Sequence, residues 1–401
     1  MSAKCTYAWN SPVKDEWLIN ISVFPSSQTS LFATSSSSGT IYVHDFTSSG
    51  HPISELKKAH ESSINALLAL DGNTLSSCST DGIKLWDIRS GNASPILSFS
   101  NEKKSKFLSL ATNSSNNGSY LAGGCELVGS DAELHIWDIR NPSSVVRSFV
   151  DSHHDDITSI EFHPTMSHYL MSGSTDGYVN VYNLLEEDED EALHQVINYA
   201  SVHSCHFTQE KRISVLSHME TLSFYELNNT NYDKIEESPP NDLQDLRYKW
   251  DDCEYVVDLF PSGHVVFGAN SSQKLTLYPF DPVNEKFNKE RSVLFPGAHG
   301  DEVVRDFKLI QNANVALTCG EDGAVKFWQM PHQIENYSIK NEIMEDQKAV
   351  SVDLDEPENA GAESESKMKK DKKHKKDKKH KDKSKKHKHK HKGKDIRFKP
   401  Y

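Results

Sequence analysis

Cys78–Arg89 reads CSTDGIKLWDIR, and two other stretches repeat its pattern. Residues 173–183 read GSTDGYVNVYN, and residues 319–329 read CGEDGAVKFWQ. Each stretch has an Asp-Gly pair, then an alternating apolar run that closes on an aromatic residue. An Asp-Gly pair between two period-two runs predicts a β-hairpin. Because the hairpin recurs at multiples of about 45 residues, the chain is predicted to be built from structural repeats.

Alignment of the closing residue gives seven units. The closing residues are His44, Trp86, Trp137, Tyr182, Tyr225, Tyr278 and Trp328. Their separations fit a four-stranded propeller blade, for which about 40–45 residues is usual. We therefore predict an all-β, seven-bladed β-propeller over residues 1–332. No clear strand follows Trp328, whereas Cys5–Trp9 (CTYAW) alternates, so the two termini are expected to share one blade and remove a sheet edge.

Three units also have a histidine upstream of the closing aromatic. With nearby Ser, Thr and Asp residues it forms three sets of four: His60, Ser77, Asp81 and Trp86; His154, Ser172, Asp176 and Tyr182; His299, Thr318, Asp322 and Trp328. In each set we expect Asp to accept from His, and the hydroxyl to link His to the aromatic. A Ser-His-Asp catalytic triad is the alternative. Three near-copies at blade spacing favour a structural network, which is stabilising when every member is paired.

These sets resemble the structural tetrad of WD-repeat propellers, and the resemblance covers roughly residues 1–330. A narrower similarity, to the WD repeat-containing protein 89 family, is carried by HDDITSIEFHP (residues 154–164), DLRYKWDD (residues 245–252) and AHGDEVVRDF (residues 298–307). The resemblance implies a seven-bladed propeller, and members of the narrower family also end in a basic tail. Fold alone does not imply function.

Charge divides the chain into two opposed parts. Residues 367–401 contain 18 Lys and one Arg against four Asp, a balance of +15, whereas residues 1–366 have a balance of −29. The six cysteines have no CxxC spacing, and no stretch resembles a signal peptide or a membrane span. We expect a soluble intracellular protein with an acidic folded body.

The tetrapeptide WDIR occurs at Trp86–Arg89 and again at Trp137–Arg140. Paired motifs of this kind resemble those of propellers that serve as substrate receptors of cullin ubiquitin ligases, where Arg89 and Arg140 would bind a partner rich in acceptors. Alternatively, each arginine pairs with a nearby carboxylate of its own chain. Both interpretations remain open at this stage.

The acidic run EEDEDE is expected to form a solvated loop after the fourth hairpin. Its members are Glu186, Glu187, Asp188, Glu189, Asp190 and Glu191. One interpretation is that the run serves solubility alone. The other is that it attracts a basic protein, and the negative charge of the body would strengthen that attraction. The negative electrostatic field of the body is expected to repel nucleic acid from the folded surface.

Residues 333–366 are acidic and poor in apolar side chains, which predicts a disordered linker. Residues 367–401 then form a Lys/His-rich tail, also predicted to be disordered. Nuclear or nucleolar targeting and non-specific contact with RNA are its two candidate roles. Both depend on a set of lysines: Lys369, Lys370, Lys372, Lys373, Lys375, Lys376, Lys378, Lys379, Lys385 and Lys386.

We find no sequence pattern that predicts catalysis, a cofactor or a small-molecule substrate. His203, Cys205 and His206 stand on one alternating strand, so convergence on a metal is not expected. The sequence therefore favours a nuclear, non-enzymatic scaffold or escort whose acidic propeller binds a basic protein of the ribosomal or histone class. A ubiquitin-ligase adaptor and an RNA-binding factor are the alternatives. No membrane association is expected.

Overall fold

The computed structural model describes residues 1–25, 30–47, 51–90, 94–113, 119–229, 238–310 and 313–339. These residues form seven antiparallel sheets, arranged as the predicted seven-bladed β-propeller. The ten lysines proposed for targeting or RNA contact, with the rest of the predicted tail, lie outside the described residues.

Blades 1 to 4 are four-stranded meanders in chain order. Blade 1 has β2 (Leu18–Val23), β3 (Leu31–Ser36), β4 (Ile41–Asp45) and β5 (Pro52–Leu56). Blade 2 has β6 (Ala66–Ala69), β7 (Thr74–Ser79), β8 (Gly82–Asp87) and β9 (Leu97–Phe99). Blade 3 has β10 (Phe107–Thr112), β11 (Tyr120–Cys125), β12 (Leu134–Asp138) and β13 (Asn141–Phe149). Blade 4 has β14 (Ile157–Phe162), β15 (Tyr169–Ser174), β16 (Tyr178–Asn183) and β17 (Leu193–Asn198), with the short helix α1 (Glu189–Ala192) before its last strand.

Blades 5 to 7 vary this plan. Blade 5 has β18 (Val202–Gln209), β19 (Arg212–Ser217), β20 (Thr221–Glu226) and β21 (Asn241–Asp245). Blade 6 has β22 (Tyr255–Phe260), β23 (His264–Ala269) and β24 (Lys274–Asp281), whose two halves pair with β26 (Val293–Pro296) and β25 (Lys286–Phe287). Blade 7 has β27 (Val304–Ile310), β28 (Val315–Gly320) and β29 (Ala324–Gln329). Single turns of 3-10 helix span Leu246–Tyr248 and Lys289–Arg291.

The N-terminal strand β1 (Lys4–Asn10) completes blade 7, as the alternation of Cys5–Trp9 predicts. It pairs antiparallel with β29, with Trp9 opposite Val325. The chain before it also reaches blade 6, because the Ala3 amide donates to the Leu294 carbonyl at 2.8 Å. The first residues therefore hold two blades together and cover the edge that β29 would otherwise expose.

Seven hydrophobic clusters hold the ring, and each of them lies between two adjacent blades. Trp86 of blade 2 packs in the cluster with blade 1, and Trp328 of blade 7 packs in the cluster with blade 6. Each blade therefore packs against a neighbour on both of its faces. The glycine of the Asp-Gly turn has a positive φ in all three quoted repeats, +105° at Gly82, +91° at Gly177 and +70° at Gly323. Other residues adopt this conformation at a cost, which explains the repeated glycine.

The segment after β29 corrects the predicted linker. Ile334 is 7% exposed and packs in the cluster between blades 6 and 7. The Tyr337 amide donates to the Ser262 carbonyl at 2.9 Å. Residues 333–339 therefore belong to the packed body. Composition did not predict this, because it does not show that Ile334 packs in an apolar cluster between two blades. The remainder of the predicted linker lies outside the described residues.

Candidate protein-interaction surface

The two sides of the propeller are defined by loops of different kinds. Loops that join the second strand to the third, and the fourth strand to the next blade, lie on one side, called here the upper face. Loops that join the first strand to the second and the third to the fourth lie on the lower face. The upper loops carry more Asp and Glu than Lys and Arg.

The His60 set and the His299 set form the expected networks below the upper face. Nδ1 of His60 lies 2.5 Å from Oδ1 of Asp81, and its Nε2 lies 2.7 Å from Oγ of Ser77. The indole of Trp86 donates to the same Oγ at 2.8 Å. Burial lowers the pKa of His60, with Asp81 opposing it, so the ring is neutral at pH 7. The indole N–H then donates to the hydroxyl, the hydroxyl O–H donates to Nε2, and the Nδ1–H donates to the carboxylate.

Blade 7 repeats this geometry with a threonine. His299 lies 2.6 Å from Asp322 and 2.8 Å from Oγ1 of Thr318, to which Trp328 donates at 3.0 Å. Burial lowers the pKa of His299 as well, although Asp322 pulls it upward. Thr318 is fully buried, His299 is 3% exposed and the indole of Trp328 is 2% exposed. Ser77 and Thr318 are fully buried and each hydroxyl is shared by two ring nitrogens, so these sets stabilise their blades.

The assignment of His154 to the blade 4 set was wrong by one residue. The buried ring is His153, which lies 2.9 Å from Asp176 and 2.7 Å from Oγ of Ser172. Tyr182 completes the set through its hydroxyl, 3.3 Å from Ser172. His154 points outward, with 68% of its side chain exposed, and lies 3.2 Å from Asp131. A sequence signal for His153 was available: the paired His and Asp are 23 residues apart in blade 4, as they are in blade 7.

A second brace accompanies each set and escaped the sequence analysis. The residue two positions before the closing aromatic donates to the carbonyl that precedes the histidine. Lys84 donates to Ala59 at 2.8 Å, Asn180 donates to Ser152 at 2.7 Å, and Lys326 donates to Ala298. Lys84 also pairs with Asp81 at 2.7 Å, and Lys326 pairs with Asp322 at 3.3 Å.

Arg89 and Arg140 are each held by the aspartate of their own motif on the lower face. Asp87 accepts from the Arg89 amide at 3.0 Å, from Nε at 2.9 Å and from Nη2 at 2.7 Å. Asp138 holds Arg140 in the same way, at 2.9, 2.9 and 2.8 Å. The hydrogen bonds from Arg89 lower the pKa of Asp87 to about 2. Both arginine side chains remain about 70% exposed.

The turn beneath these arginines occurs in five blades. An Asp or Asn at the end of the third strand accepts the amide hydrogen two residues later at Asp45, Asp87, Asp138, Asn183 and Asp281. Such Asx turns are a common way to leave a strand. The aspartate of WDIR therefore shapes a turn, and the arginine is an addition that blades 2 and 3 share.

The acidic run is only partly the solvated loop expected from sequence. Asp188 caps α1, accepting from the amides of Asp190 and Glu191. Glu189 turns inward and accepts from the amide of Val150 at 2.9 Å and from the hydroxyl of Ser152 at 2.5 Å. The other carboxylates, Glu186, Glu187, Asp190 and Glu191, are exposed on the lower side of blade 4. The correction follows from the open amides at the end of β13, which a nearby carboxylate satisfies.

The central channel contains charged groups that the sequence analysis missed. His206 stands on the inner strand β18, with Nδ1 2.8 Å from Glu161 of blade 4 and Nε2 3.1 Å from Asp258 of blade 6. Burial on its own lowers the pKa of His206, but Asp258 and Glu161 outweigh it and raise the pKa to about 10. On the other side of Asp258 lies blade 7, where Lys308 pairs with Asp306 at 3.1 Å. The contacts of His206 join the inner strands of blades 4, 5 and 6, whereas the Lys308–Asp306 pair lies within β27.

His203 and Cys205 do not converge with His206 on a metal. His203 donates to the Val257 carbonyl at 3.2 Å, and Cys205 is buried on the opposite side of the strand. Among the described residues no group of three His, Cys, Asp or Glu side chains is placed to hold a metal ion. Within the same part of the chain, no helix is long and apolar enough to span a membrane.

Of the fourteen large apolar side chains that are exposed among the described residues, seven lie on the upper face. They are Val13, Trp17, Leu127, Val128, Tyr178, Met219 and Tyr248. Tyr248 is 89% exposed and Met219 is 58% exposed. Large apolar side chains beside an acidic rim are typical of surfaces that bind other proteins. A cleft of about 570 Å³ lies on the lower side of blade 6, where Phe287, Arg291 and Tyr337 line it.

The fold and its buried networks define a WD-repeat β-propeller. The family described as WD domain, G-beta repeat matches residues 50–87 and 143–183. The "Uncharacterized WD repeat-containing protein YNL035C" of Saccharomyces cerevisiae is 41% identical over 363 residues, covering 86% of this chain and 89% of that protein. The chain therefore belongs to the WD-repeat family, whose propellers typically act as non-catalytic scaffolds for protein interactions.

Two more distant relatives add detail. The "WD repeat-containing protein 89 homolog" of Dictyostelium discoideum is 27% identical over 330 residues, covering 80% of this chain and 84% of that protein. The similarity to that narrower family, predicted from three sequence stretches, is thereby confirmed. The "Ribosome biogenesis protein WDR12 homolog" of rice, Oryza sativa subspecies japonica, is 28% identical over 127 residues, 31% of this chain and 27% of that protein.

Proposed function

We propose that this protein is a nuclear, non-enzymatic scaffold or escort whose acidic propeller binds a basic protein, of the ribosomal or histone class. The opposed charges carry the proposal, with −29 over residues 1–366 and +15 over residues 367–401. A folded surface of that sign attracts cationic partners and repels phosphates. The tail supplies the targeting signal, and its ten lysines named above are the residues concerned.

Ribosome assembly is the favoured setting. The partial match to a protein whose name places it in ribosome biogenesis supports this choice over chromatin. The geometry supports a scaffold because the hydroxyls of the histidine sets are buried within structural networks, while large apolar side chains are exposed on the upper face. Such exposed apolar side chains are typical of surfaces that bind other proteins.

The test compares purified partners of the two classes with a basic control. Full-length protein is titrated with individual ribosomal proteins, with a histone dimer and with lysozyme, at about 50 and 200 mM salt. We expect one class to bind at the higher salt while lysozyme does not. Equal binding of all three at low salt, lost together at the higher salt, indicates charge attraction without recognition and contradicts the proposal.

Localisation is tested separately. Replacement of the ten tail lysines by glutamine is expected to move a fluorescently tagged protein from the nucleus to the cytoplasm without weakening partner binding in vitro. Retention in the nucleus contradicts the targeting role. Loss of partner binding instead shows that the tail, and not the propeller, makes the main contact.

A further inference from the structure

Blades 5 and 6 share a small exposed surface on the upper face, called here the Tyr248 patch. It consists of His203, His218, Met219, Arg247 and Tyr248. The rings of His203 and His218 meet edge to face, with centroids 5.3 Å apart. Nη2 of Arg247 donates to the Met219 carbonyl at 3.3 Å, which joins the turn of blade 5 to the loop that leads into blade 6.

The chain that presents Tyr248 is fixed on both sides. Asp245 caps the 3-10 turn by accepting the Arg247 amide at 2.9 Å, and its carboxylate also holds Nε and Nη2 of Arg247. Leu246 is fully buried and Trp250 is 6% exposed, so both anchor the loop in the core. Between these anchors Tyr248 is 89% exposed, and its neighbours Arg247 and Lys249 are exposed as well. An exposed ring on a fixed backbone loses little entropy when it is covered.

Three residues around the patch adopt left-handed backbone conformations without being glycine. The φ angles are +59° at Glu220, +58° at Gln244 and +54° at Asp252. The Leu246 amide donates to the Glu220 carbonyl at 2.9 Å, and Glu220 accepts the Val256 amide at 2.8 Å. These bonds enforce the strained arrangement at Glu220.

Charged groups of both signs surround the ring, on a face whose loops carry more carboxylates than cations. Arg247 pairs with Asp245 at 2.7 Å, and Asp252 pairs with Lys274 at 2.7 Å. Asp251 and Lys249 are both exposed in the same loop. A tyrosine ring favours a cation above its face, and an exposed methionine favours an apolar neighbour.

We propose that the Tyr248 patch is the docking site for a segment of the basic partner that carries a lysine or arginine next to an apolar side chain. The cation lies over the ring of Tyr248, near Asp251, and the apolar side chain contacts Met219. This inference rests on the proposed function and specifies which part of the propeller makes the contact.

The methyl group of Met219 reports on this contact in the full-length protein. Methionine methyl groups are labelled with ¹³C, and the Met219 signal is assigned from the variant Met219→Leu. Three peptides of equal length are titrated: one with three arginines and two leucines among glycine and serine, one with glutamate for each arginine, and one with alanine for each leucine. Dissociation constants come from fluorescence anisotropy at about 50 mM salt.

We expect the arginine–leucine peptide to shift the Met219 signal and the glutamate peptide to leave it unmoved. Tyr248→Ala should weaken binding of the arginine–leucine peptide about tenfold. Val283→Ala, a control on the lower face where the valine is 68% exposed, should not change it. Equal unfolding midpoints establish that both variants are folded.

Other outcomes separate the two proposals. Undiminished binding by Tyr248→Ala, or binding without a shift at Met219, overturns the docking site and leaves the proposed function intact. Failure of the wild type to prefer the arginine peptides over the glutamate peptide contradicts both. A shift at Met219 produced by single-stranded RNA overturns the assignment of the patch to a basic protein.

Discussion

Nε2 of His206 lies 3.1 Å from Oδ2 of Asp258, so a protonated imidazole joins the inner strands of blades 5 and 6. His206 also reaches Glu161 of blade 4, which makes it a bridge between three blades. Charged groups on the inner strands thus link neighbouring blades in addition to the apolar clusters between them.

The pH dependence of stability tests this bridge. The pKa of His206 is about 10 in the folded protein and about 6.5 when the chain is unfolded. Its contribution is therefore complete below about pH 6.5 and is lost as the pH rises toward 10. Burial raises the pKa of Asp258, but His206, His203 and Ser204 outweigh it and depress the pKa, so its contribution is lost in acid. Urea midpoints measured at pH 6, 8 and 10 should decline across this range.

Replacement of the bridge should remove that decline. His206→Gln is expected to cost about 3 kcal/mol near pH 6 and less at pH 10, because it leaves two carboxylates without their cation. His154→Gln, at an exposed histidine of blade 4, is the control and should keep the wild-type slope. A wild-type slope in His206→Gln would show that another group titrates.

The hydroxyl of Ser77 should contribute more to the free energy of unfolding than the hydroxyl of Ser76. Ser77→Ala leaves the indole of Trp86 and Nε2 of His60 without a shared partner, at an expected cost of about 1–3 kcal/mol. Ser76→Ala removes a buried hydroxyl that has no hydrogen-bond partner, and it should be neutral or stabilising. Chemical denaturation of the two variants measures the difference, and equal costs contradict the network.

The histidine of blade 4 is tested by a pair of adjacent substitutions. His153→Ala should lower the free energy of unfolding by about 2 kcal/mol, since Asp176 and Ser172 both lose their partner. His154→Ala should change it by less than about 0.5 kcal/mol, as for other surface positions. A larger loss of stability in His154→Ala than in His153→Ala would favour His154 as the buried histidine of blade 4.

Ile334 tests whether residues 333–339 belong to the folded body. Ile334→Ala should cost about 2–3 kcal/mol, because it opens a cavity between blades 6 and 7. Ile53→Ala on β5, where the isoleucine is 56% exposed, provides the matched control and should be nearly neutral. Similar effects of the two changes would mean that Ile334 is not packed.

The paired arginines distinguish the proposed function from a ubiquitin-ligase adaptor. We expect Arg89→Ala combined with Arg140→Ala to leave the unfolding midpoint and the binding of a basic partner unchanged, because both side chains are exposed on the lower face. Affinity measurements with the double variant check this. Capture of a ligase linker subunit by the wild type, lost in the double variant, would favour the adaptor instead.

The closing aromatics and the Asp-Gly turns were enough to predict the blade count. Both are local signals: the turn requires a residue that tolerates positive φ, and the alternation reports burial on a sheet face. The pairing of β1 with β29 also followed from local alternation plus the missing outer strand. His153 and His154 differ by one position, and alternation on a short loop does not decide which ring turns inward.

The sequence by itself determined the seven-bladed fold and two of the three histidine sets, because each depends on patterns local to one repeat. It also determined the opposed charges of body and tail, which follow from composition alone. Only the tertiary structure decided the contacts that depend on how neighbouring blades are placed. It placed Glu189 on the open amides of β13, joined His206 to carboxylates of two other blades, and left Tyr248 exposed between two buried anchors. Contacts between residues distant along the chain have no periodic signature, so they emerge only when the ring is closed.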